Sequence, residues 1–299
     1  SVELSEPRPS VTGLVSIGAL NLDGLYPTDP ITELTQSSRS RSTSGSGAVS
    51  GRWPSQQIDL SAMQTFDASI DLTGKKIAGR GLVIEELAAQ IRLAEGKLVV
   101  AGWKGQIFGG PATGDIAVSF DTKLDFQTRF DIQDALIERM GSGSESSASG
   151  KVSLQGNFAT IGANQRDWVS ALSGNGAFEA TGLDANGVVG QAPFLLAAWS
   201  PARALSQLGG LLGGGVTKGF ASMSANFTGD AGVFVLSDAT VRSNVYSGDF
   251  AGAIDLPRLW IEVDGGIRLG ADIITQLPEN RLQMPYTIPV NINGPLSAP

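Results

Sequence analysis

The chain has 299 residues and a formal net charge of −8, from 21 Lys and Arg against 29 Asp and Glu. A negative field of this size repels phosphate backbones, so the sequence predicts no nucleic-acid partner. The chain contains neither Cys nor His, which excludes disulfides, thiolate nucleophiles, Ser-His-Asp triads and the usual ligands of zinc. We therefore expect no metal site and no cofactor, and only carboxylate chemistry remains open to catalysis.

The composition favours β-structure. Hydrophobic residues make up 41 % of the chain, which is enough for a packed core, and 39 residues are Gly. Small and β-branched residues mixed with Gly suit many short strands joined by turns. The longest apolar run, 191–199, is interrupted by Pro193 and falls well short of the roughly 20 residues that a membrane-spanning helix needs. Since no targeting segment is present, we expect the chain to be part of a longer protein.

The first distinctive segment along the chain is a loop. Residues 35–50 are rich in Ser, Arg and Gly and show no hydrophobic period, so they predict a flexible loop. Strict alternation of apolar and polar residues then begins, first at 66–73 and again at 114–121. Alternation with a period of two is typical of strands that have one buried and one wet face.

The longest alternating segment is 123–133. Its apolar positions are Leu124, Phe126, Phe130 and Ile132, with Thr128 between them, and they oppose Asp, Gln and Arg side chains on the other face. We expect one strand whose apolar face belongs to the core or lines a groove. A second loop rich in Ser and Gly is predicted at 141–149.

Two short helices are predicted in the second half of the chain. Asn164 is a suitable N-cap for a helix that ends before Gly174, with Asp167 at its third position. A second helix is expected from Ser200 through Leu212, because Pro201 suits the first helical position and a run of Gly follows. A final alternating strand has a set of apolar residues on one face: Leu259, Ile261, Val263, Ile267 and Leu269.

These patterns together predict a mainly β fold. We expect a curved, mostly antiparallel sheet, forming an open groove or a partial barrel, with one or two short helices. Residues 1–299 are predicted to form a single β-rich unit, within which 35–50 and 141–149 are loops rather than domain boundaries.

Several segments, in order, resemble the AsmA family. The first segment ends in Leu20, Leu22 and Asp23. Each later segment alone has low specificity, so the resemblance depends on the order and spacing of all the segments together. The Ser- and Arg-rich loop at 35–50 departs from the family pattern. The matching segments are 4–23, 58–63, 66–68, 87–98, 106–110, 148–154 and 171–178.

This resemblance implies a location and a function. AsmA-like proteins are anchored in the inner membrane of Gram-negative bacteria, have a periplasmic body and are linked to outer-membrane biogenesis. Relatives are thought to form elongated β-sheet grooves that carry phospholipid, and the family has no catalytic residues. The chain would correspond to a C-terminal periplasmic region, with its anchor outside this segment. No protein partner can be named from the resemblance.

Two interpretations of the apolar strand faces remain open. They could line a groove that holds phospholipid acyl chains, since each buried methylene contributes about 0.8 kcal/mol without any polar contact. They could equally pack on one another, which would favour a structural scaffold that assists outer-membrane assembly without carrying lipid. A hydrolase that uses two carboxylates, such as Glu85 and Glu86 or Asp125 and Asp131, is the third alternative. A solvated strand face explains these acids better.

Overall fold

A computed structural model describes the chain as one continuous sheet of 14 strands, in which the order of the strands in space is their order in the sequence. The described residues are 2–3, 8–22, 53–57, 61–79, 82–121, 123–139, 149–183, 221–243, 246–270 and 287–296. The predicted loop 35–50, the predicted helix 200–212 and all but the last residue of the predicted loop 141–149 lie outside these ranges.

The strands of the first half are β1 (Val2–Glu3), β2 (Ser10–Asn21), β3 (Asp67–Gly79), β4 (Leu82–Ala94), β5 (Lys97–Ile107), β6 (Gly110–Phe120) and β7 (Leu124–Leu136). Those of the second half are β8 (Lys151–Gly162), β9 (Ser173–Leu183), β10 (Ala221–Asp230), β11 (Val233–Arg242), β12 (Tyr246–Asp255), β13 (Trp260–Leu269) and β14 (Thr287–Pro295).

Tight turns explain why neighbouring strands pair. Glu95–Gly96, Phe108–Gly109 and Ala231–Gly232 each place two successive residues at positive φ, with Gly in the second position. This geometry matches the twist of an antiparallel pair and allows a two-residue hairpin. Every strand pairs antiparallel with its neighbours except β2 and β3, which are parallel. The predicted antiparallel sheet is therefore confirmed.

Bulges inside the strands bend this sheet. At each bulge a residue with positive φ shifts the register, and at two of them a side chain of a neighbouring strand accepts a hydrogen bond from its backbone. The backbone N of Gly102 donates to Asp115 Oδ1 over 2.8 Å, and that of Asp134 donates to Ser153 Oγ over 3.1 Å. Bulges increase the local twist and curvature of a sheet. The bulged residues are Glu86, Gly102, Asp134, Gly182 and Asp238.

One predicted helix lies within the described residues. The helix α1 (Gln165–Ala171) begins after Asn164, whose Oδ1 accepts a hydrogen bond from the backbone N of Asp167 over 3.0 Å. The predicted N-cap is therefore confirmed, and an N-cap of this kind stabilises a helix by about 1 kcal/mol. The helix ends earlier than predicted: Leu172 is its C-cap, and Gly174 already belongs to β9.

The sheet remains open. Among the described residues, β1 and β14 are the outermost strands and do not pair with each other. The predicted fold class, a curved and mostly antiparallel sheet that forms a groove, is confirmed.

Candidate functional site

The two faces of the sheet differ sharply in chemistry. Residues that are paired across neighbouring strands lie on the same face, so the register assigns each side chain to one face. We call the face that carries Ile116, Phe130, Phe158, Phe227 and Ile261 the inner face, and the opposite one the outer face. The outer face holds the charged residues of these strands.

The inner face is apolar without interruption over most of the sheet. From β5 to β14, the register places no charged side chain on it among the described residues. The second half of the sheet continues this face. Among the described residues from β5 to β14, its side chains with polar atoms are Trp103, Thr128, Thr160 and Tyr246. Burial raises the pKa of Tyr246 above its usual value of 10.0, and a hydrogen bond with Ser243 opposes that effect.

The predicted apolar face of β7 lies on the inner face. Leu124, Phe126, Phe130 and Ile132 are all on this side, and each is only half-buried. The sequence therefore identified one complete strand of the inner face. Leu124 and Phe126 pack on the buried cluster of Leu93, Val118 and Phe120, so Phe130 and Ile132 are the residues of this strand that a ligand on the inner face can contact.

Four aromatic rings form a row that crosses the strands in the middle of the inner face. Phe130 and Phe158 stack with ring centroids 5.9 Å apart, and Phe158 and Phe227 stack at the same distance. Phe234 completes the row, 5.8 Å from Phe158 and 6.3 Å from Phe227. We call these four residues the ring row. Of these four rings, sequence analysis named only Phe130 as a groove candidate. The register of the strands is needed to show that the other three rings lie beside it.

Each ring of the row lies across a glycine on an adjacent strand. Phe130 is paired with Gly156, Phe158 with Gly174, Phe227 with Gly176 and Phe234 with Gly229. A Cβ added at Gly229 would overlap the Phe234 ring, and one at Gly176 would overlap the Phe227 ring. Glycine thus leaves the space in which a ring can lie against the sheet. In the sequence, this arrangement of rings and glycines is indicated by a Gly two residues away from a Phe, as in 156–158 and 227–229.

One end of the inner face is covered by helical segments. At this end Trp168 Nε1 in α1 donates to the carbonyl of Gly162 over 2.8 Å, and Thr160 Oγ1 donates to the carbonyl of Trp168 over 2.6 Å. Beside it, Met63, in the 3-10 turn Ser61–Gln64, packs on a buried cluster formed by Leu93, Val118 and Phe120. The described residues therefore cover the inner face at this end.

The β13 residues proposed as groove candidates have a different environment. Ile261, Val263 and Ile267 lie on the inner face but are 0 %, 2 % and 0 % exposed, within a core that includes Val290 and Ile292. Since no part of these side chains is accessible, they cannot line an open groove. That part of the prediction is corrected to a closed core.

The alternating pattern also fails at the start of this strand. Leu259 precedes β13 and lies in a turn with φ +52°, where its backbone N donates to the carbonyl of Leu256. A left-handed residue breaks the period of two, so its assignment to the strand was wrong. Leu269 ends β13, and its side chain is outside the described part of the chain.

The outer face has a polar recess of about 480 Å³ near the bulges at Asp134 and Asp238. Asp131 and Glu179 also line it, and Lys151 Nζ lies 3.4 Å from Asp134 Oδ2. Glu85, one of the acids considered for catalysis, pairs with Arg139 at 3.5 Å. Among the described residues, no group of three or more acids is arranged to hold a metal ion.

None of the helices in the described ranges is long and apolar enough to cross a membrane. No family model matches the chain, and neither does any curated protein or solved structure. The resemblance to the AsmA family therefore remains a hypothesis, and the geometry of the inner face is the basis for any functional conclusion.

Proposed function

We propose that the chain is a non-enzymatic, lipid-binding protein whose inner face holds acyl chains. The observation that carries this proposal is the inner face itself, which is uncharged from β5 to β14 in the described residues and is half-buried, not fully buried, along most of β7. A large apolar surface that stays partly accessible is typical of a binding site for an apolar ligand.

Acyl chains fit this surface because their binding needs no specific polar partner. Each methylene removed from water contributes about 0.8 kcal/mol, so a chain that follows the ring row gains affinity along its whole length. The rings are rigid, and their stacked neighbours hold them in place, so little conformational entropy is lost when a ligand binds. Charged headgroups would have to remain outside the inner face, since between β5 and β14 the described part of this face has no ionised side chain to offer as a partner.

The cellular context belongs to the same proposal and comes from the resemblance to the AsmA family. In that context the chain is the periplasmic part of a protein anchored to the inner membrane by a segment outside the one described here. Its ligand would be phospholipid, and its role would be lipid transfer in support of outer-membrane biogenesis. The open, curved sheet is compatible with a groove of this kind.

A structural scaffold that carries no lipid is the second candidate. The observation that favours it is the closed core around Ile261 and Ile267, both at 0 % exposure, since this part of the inner face is fully used for packing. A scaffold would need the same packing across the rest of the inner face. The half-buried side chains of β7 are the reason that we rank it second.

The test is mass spectrometry of lipids that co-purify with the protein in the absence of detergent. Phe130→Asp places a carboxylate in the ring row, and Gln127→Asp places the same charge on the outer face of the same strand as a matched control. We expect phospholipid in near-stoichiometric amount with the wild type and with Gln127→Asp. Phe130→Asp should lose most of it, because an ionised group is costly beside hydrocarbon.

Circular dichroism and thermal unfolding of both variants separate loss of binding from loss of folding. If the folded wild type carries no lipid, or if folded Phe130→Asp carries as much as Gln127→Asp, the inner face is not the binding site. The scaffold interpretation would then replace the present one.

A further inference from the structure

Trp103 lies on the inner face, in the same cross-strand row of positions as Phe130. It pairs with Gly114 of β6, which in turn pairs with Phe130 of β7. A Cβ built at Gly114 would lie 2.8 Å from Trp103 Nε1, so the indole covers this glycine as the Phe227 ring covers Gly176. The indole as a whole is half-buried. Aromatic side chains on the inner face therefore extend beyond the ring row to β5.

A bulge directs Trp103 to this face. Val100 is on the inner face, and strict alternation would place Gly102, not Trp103, on the same side. Gly102 instead adopts a φ of +56°, and its backbone N donates to Asp115 Oδ1 over 2.8 Å. The extra residue shifts the register, so that Trp103 lies opposite Gly114. Bulges often redirect a side chain next to a functional site.

The indole N–H of Trp103 has no acceptor among the described residues. Its Nε1 is buried, and in the part of the chain that the structure describes it is the one buried side-chain nitrogen or oxygen without a hydrogen-bond partner. The other polar side chains of the inner face differ. The hydroxyls of Thr128 and Thr160 each donate to a backbone carbonyl, over 3.1 Å and 2.6 Å, and Tyr246 has a hydrogen bond with Ser243. A buried donor without an acceptor is unfavourable, and such groups are rare in folded proteins.

We propose that Trp103 Nε1 donates a hydrogen bond to the ester carbonyl of a bound acyl lipid. This inference rests on the proposed function, since it requires acyl chains on the inner face. An ester carbonyl is a neutral acceptor, so it can enter a face that has no ionised side chain from β5 to β14 in the described ranges. A carboxylate or a phosphate would lose its hydration there without gaining a counter-charge. The ligand class is therefore an ester-linked lipid, whose ester lies beside Trp103 and whose chain follows the row toward Phe130.

The neighbours of Trp103 leave its ring room to turn. The adjacent inner-face positions on β5 and β6 are Gly105, Ala112 and Gly114, which have small side chains or none. Because Nε1 lies against β6, the indole has to rotate about its side-chain bonds to bring the N–H toward a carbonyl above the sheet. The rotation exchanges an unsatisfied donor for a satisfied one, so a ligand that offers a carbonyl favours the rotated state.

The first experiment compares two lipids that differ only in the carbonyl. A diacyl phosphatidylcholine and its dialkyl ether analogue, with the same headgroup and chain length, are mixed in equal amounts in vesicles. The lipid that the full chain extracts from these vesicles is quantified by mass spectrometry. We expect the wild type to take up about three to ten times more ester lipid than ether lipid, the ratio that one hydrogen bond in a desolvated site gives.

The second experiment removes the donor. Trp103→Phe retains an aromatic ring and should bind the two lipids equally, at about the level at which the wild type binds the ether lipid. Trp260→Phe is the matched control, because the Trp260 indole is on the outer face and its Nε1 donates to Asn293 Oδ1 over 2.8 Å. This control should retain the preference for the ester lipid. Circular dichroism verifies that both variants fold.

Nuclear magnetic resonance of the indole N–H groups gives a readout in the wild type itself. The Trp103 signal is identified by its loss in Trp103→Phe, and its proton should move downfield with the ester lipid but not with the ether lipid, because a hydrogen bond deshields the proton. Equal uptake of both lipids by the wild type, an ester preference that survives Trp103→Phe, or an indole signal that responds alike to both lipids would each overturn the role of Trp103 and leave acyl-chain binding intact. Uptake of neither lipid would overturn the proposed function as well.

Discussion

The ring row and the core around β13 are built from the same sequence pattern but have different environments. Phe130 on β7 and Ile261 on β13 both occupy inner-face positions of strands with a period of two. Phe130 is half-buried beside stacked rings, whereas Ile261 is completely buried among aliphatic side chains. The pattern thus shows which face is apolar, but it does not show how fully that face is covered.

The difference follows from what packs over each region, because glycine partners occur in both: in the core, Val263 is paired with Gly252 and Ile267 with Gly248. In the ring row, an aromatic side chain is paired with Gly on the next strand, so that the rings lie over the backbone. Phe130, Phe158 and Phe227 remain half-buried, whereas Phe234 is buried. In the core, Val263 is paired with Ile292, and branched side chains of similar size interlock. Interlocked aliphatic packing excludes ligands and solvent alike, which is why our proposal places binding at the ring row and not at the core.

The largest expected effect is the cost of a buried charge in the core. Ile261→Asp places a carboxylate where the native side chain is 0 % exposed, and we expect it to lower the free energy of unfolding by about 3–5 kcal/mol, or to prevent folding. Phe130→Asp should cost clearly less, because water can reach the carboxylate of a half-buried residue. Urea unfolding followed by circular dichroism measures both.

Ile261→Val serves as the control for this comparison, since it removes one methylene and should cost only about 0.5–1.5 kcal/mol. If Phe130→Asp were as destabilising as Ile261→Asp, the ring row would be as closed as the core. The assignment of binding to the inner face of β7 would then lose its structural basis.

The sequence predicted the fold class and the faces better than it predicted the site. Alternation identified Phe126 and Phe130 on one face of β7 because the period of a strand is local information. Asn164 was recognised for a similar reason, since an N-cap acts within a single turn. Pairing between distant strands is not local. The contact between Phe158 and Phe234 depends on the register of β8 to β11, which is set by bulges and turns that no pattern in one strand shows.

The same reasoning explains the errors at β13. Leu259 fits the alternating pattern by residue type, but a positive φ in the preceding turn interrupts the strand. Ile261 and Ile267 were assigned correctly to one face, and only their full burial was missed. Burial depends on what packs over the face, and a strand's own sequence carries no information about its neighbours.

The second prediction concerns the glycines beneath the rings. A Cβ at Gly176 would overlap the carbonyl of Gln155 as well as the Phe227 ring, so the backbone cannot simply move aside. We expect Gly176→Ala to lower the free energy of unfolding by about 1–3 kcal/mol through overpacking. Lipid binding should fall at the same time, because the ring would be displaced from its neighbour Phe158.

Gly13→Ala is the matched control, since nothing lies within 4 Å of a Cβ built at that position. In β2 the same substitution should be neutral or slightly stabilising, because Ala loses less conformational entropy than Gly in a strand. Equal effects of the two substitutions would show that the rings do not need glycine beneath them. The distinction drawn here between the ring row and the core would then fail.

The smallest expected effect concerns the junction between the core around β13 and a second buried cluster, formed by Val152, Ala180, Met223 and Val241. Tyr246 is on the inner face of β12 and packs against the core cluster of Ile261 as well as the cluster of Val152 and Met223. Burial raises its pKa above 10.0, since the phenolate loses hydration. A raised pKa in the folded state means that the unfolded chain releases the proton first. The stability that the wild type has while Tyr246 is protonated is therefore complete below pH 10. Part of it is lost as the pH rises through the folded-state pKa of Tyr246.

Tyr246→Phe removes this ionisation and leaves the ring. The wild type should lose stability relative to this variant as the pH rises from about 9 to about 11, because phenolate formation favours unfolding. Both proteins contain the other groups that titrate in this range. The difference between their free energies of unfolding in urea therefore isolates the contribution of Tyr246. A constant stability difference across the range would mean that the hydroxyl is solvated. The core and the cluster of Val152 and Met223 would then be separated by water at Tyr246, instead of forming one continuous apolar face.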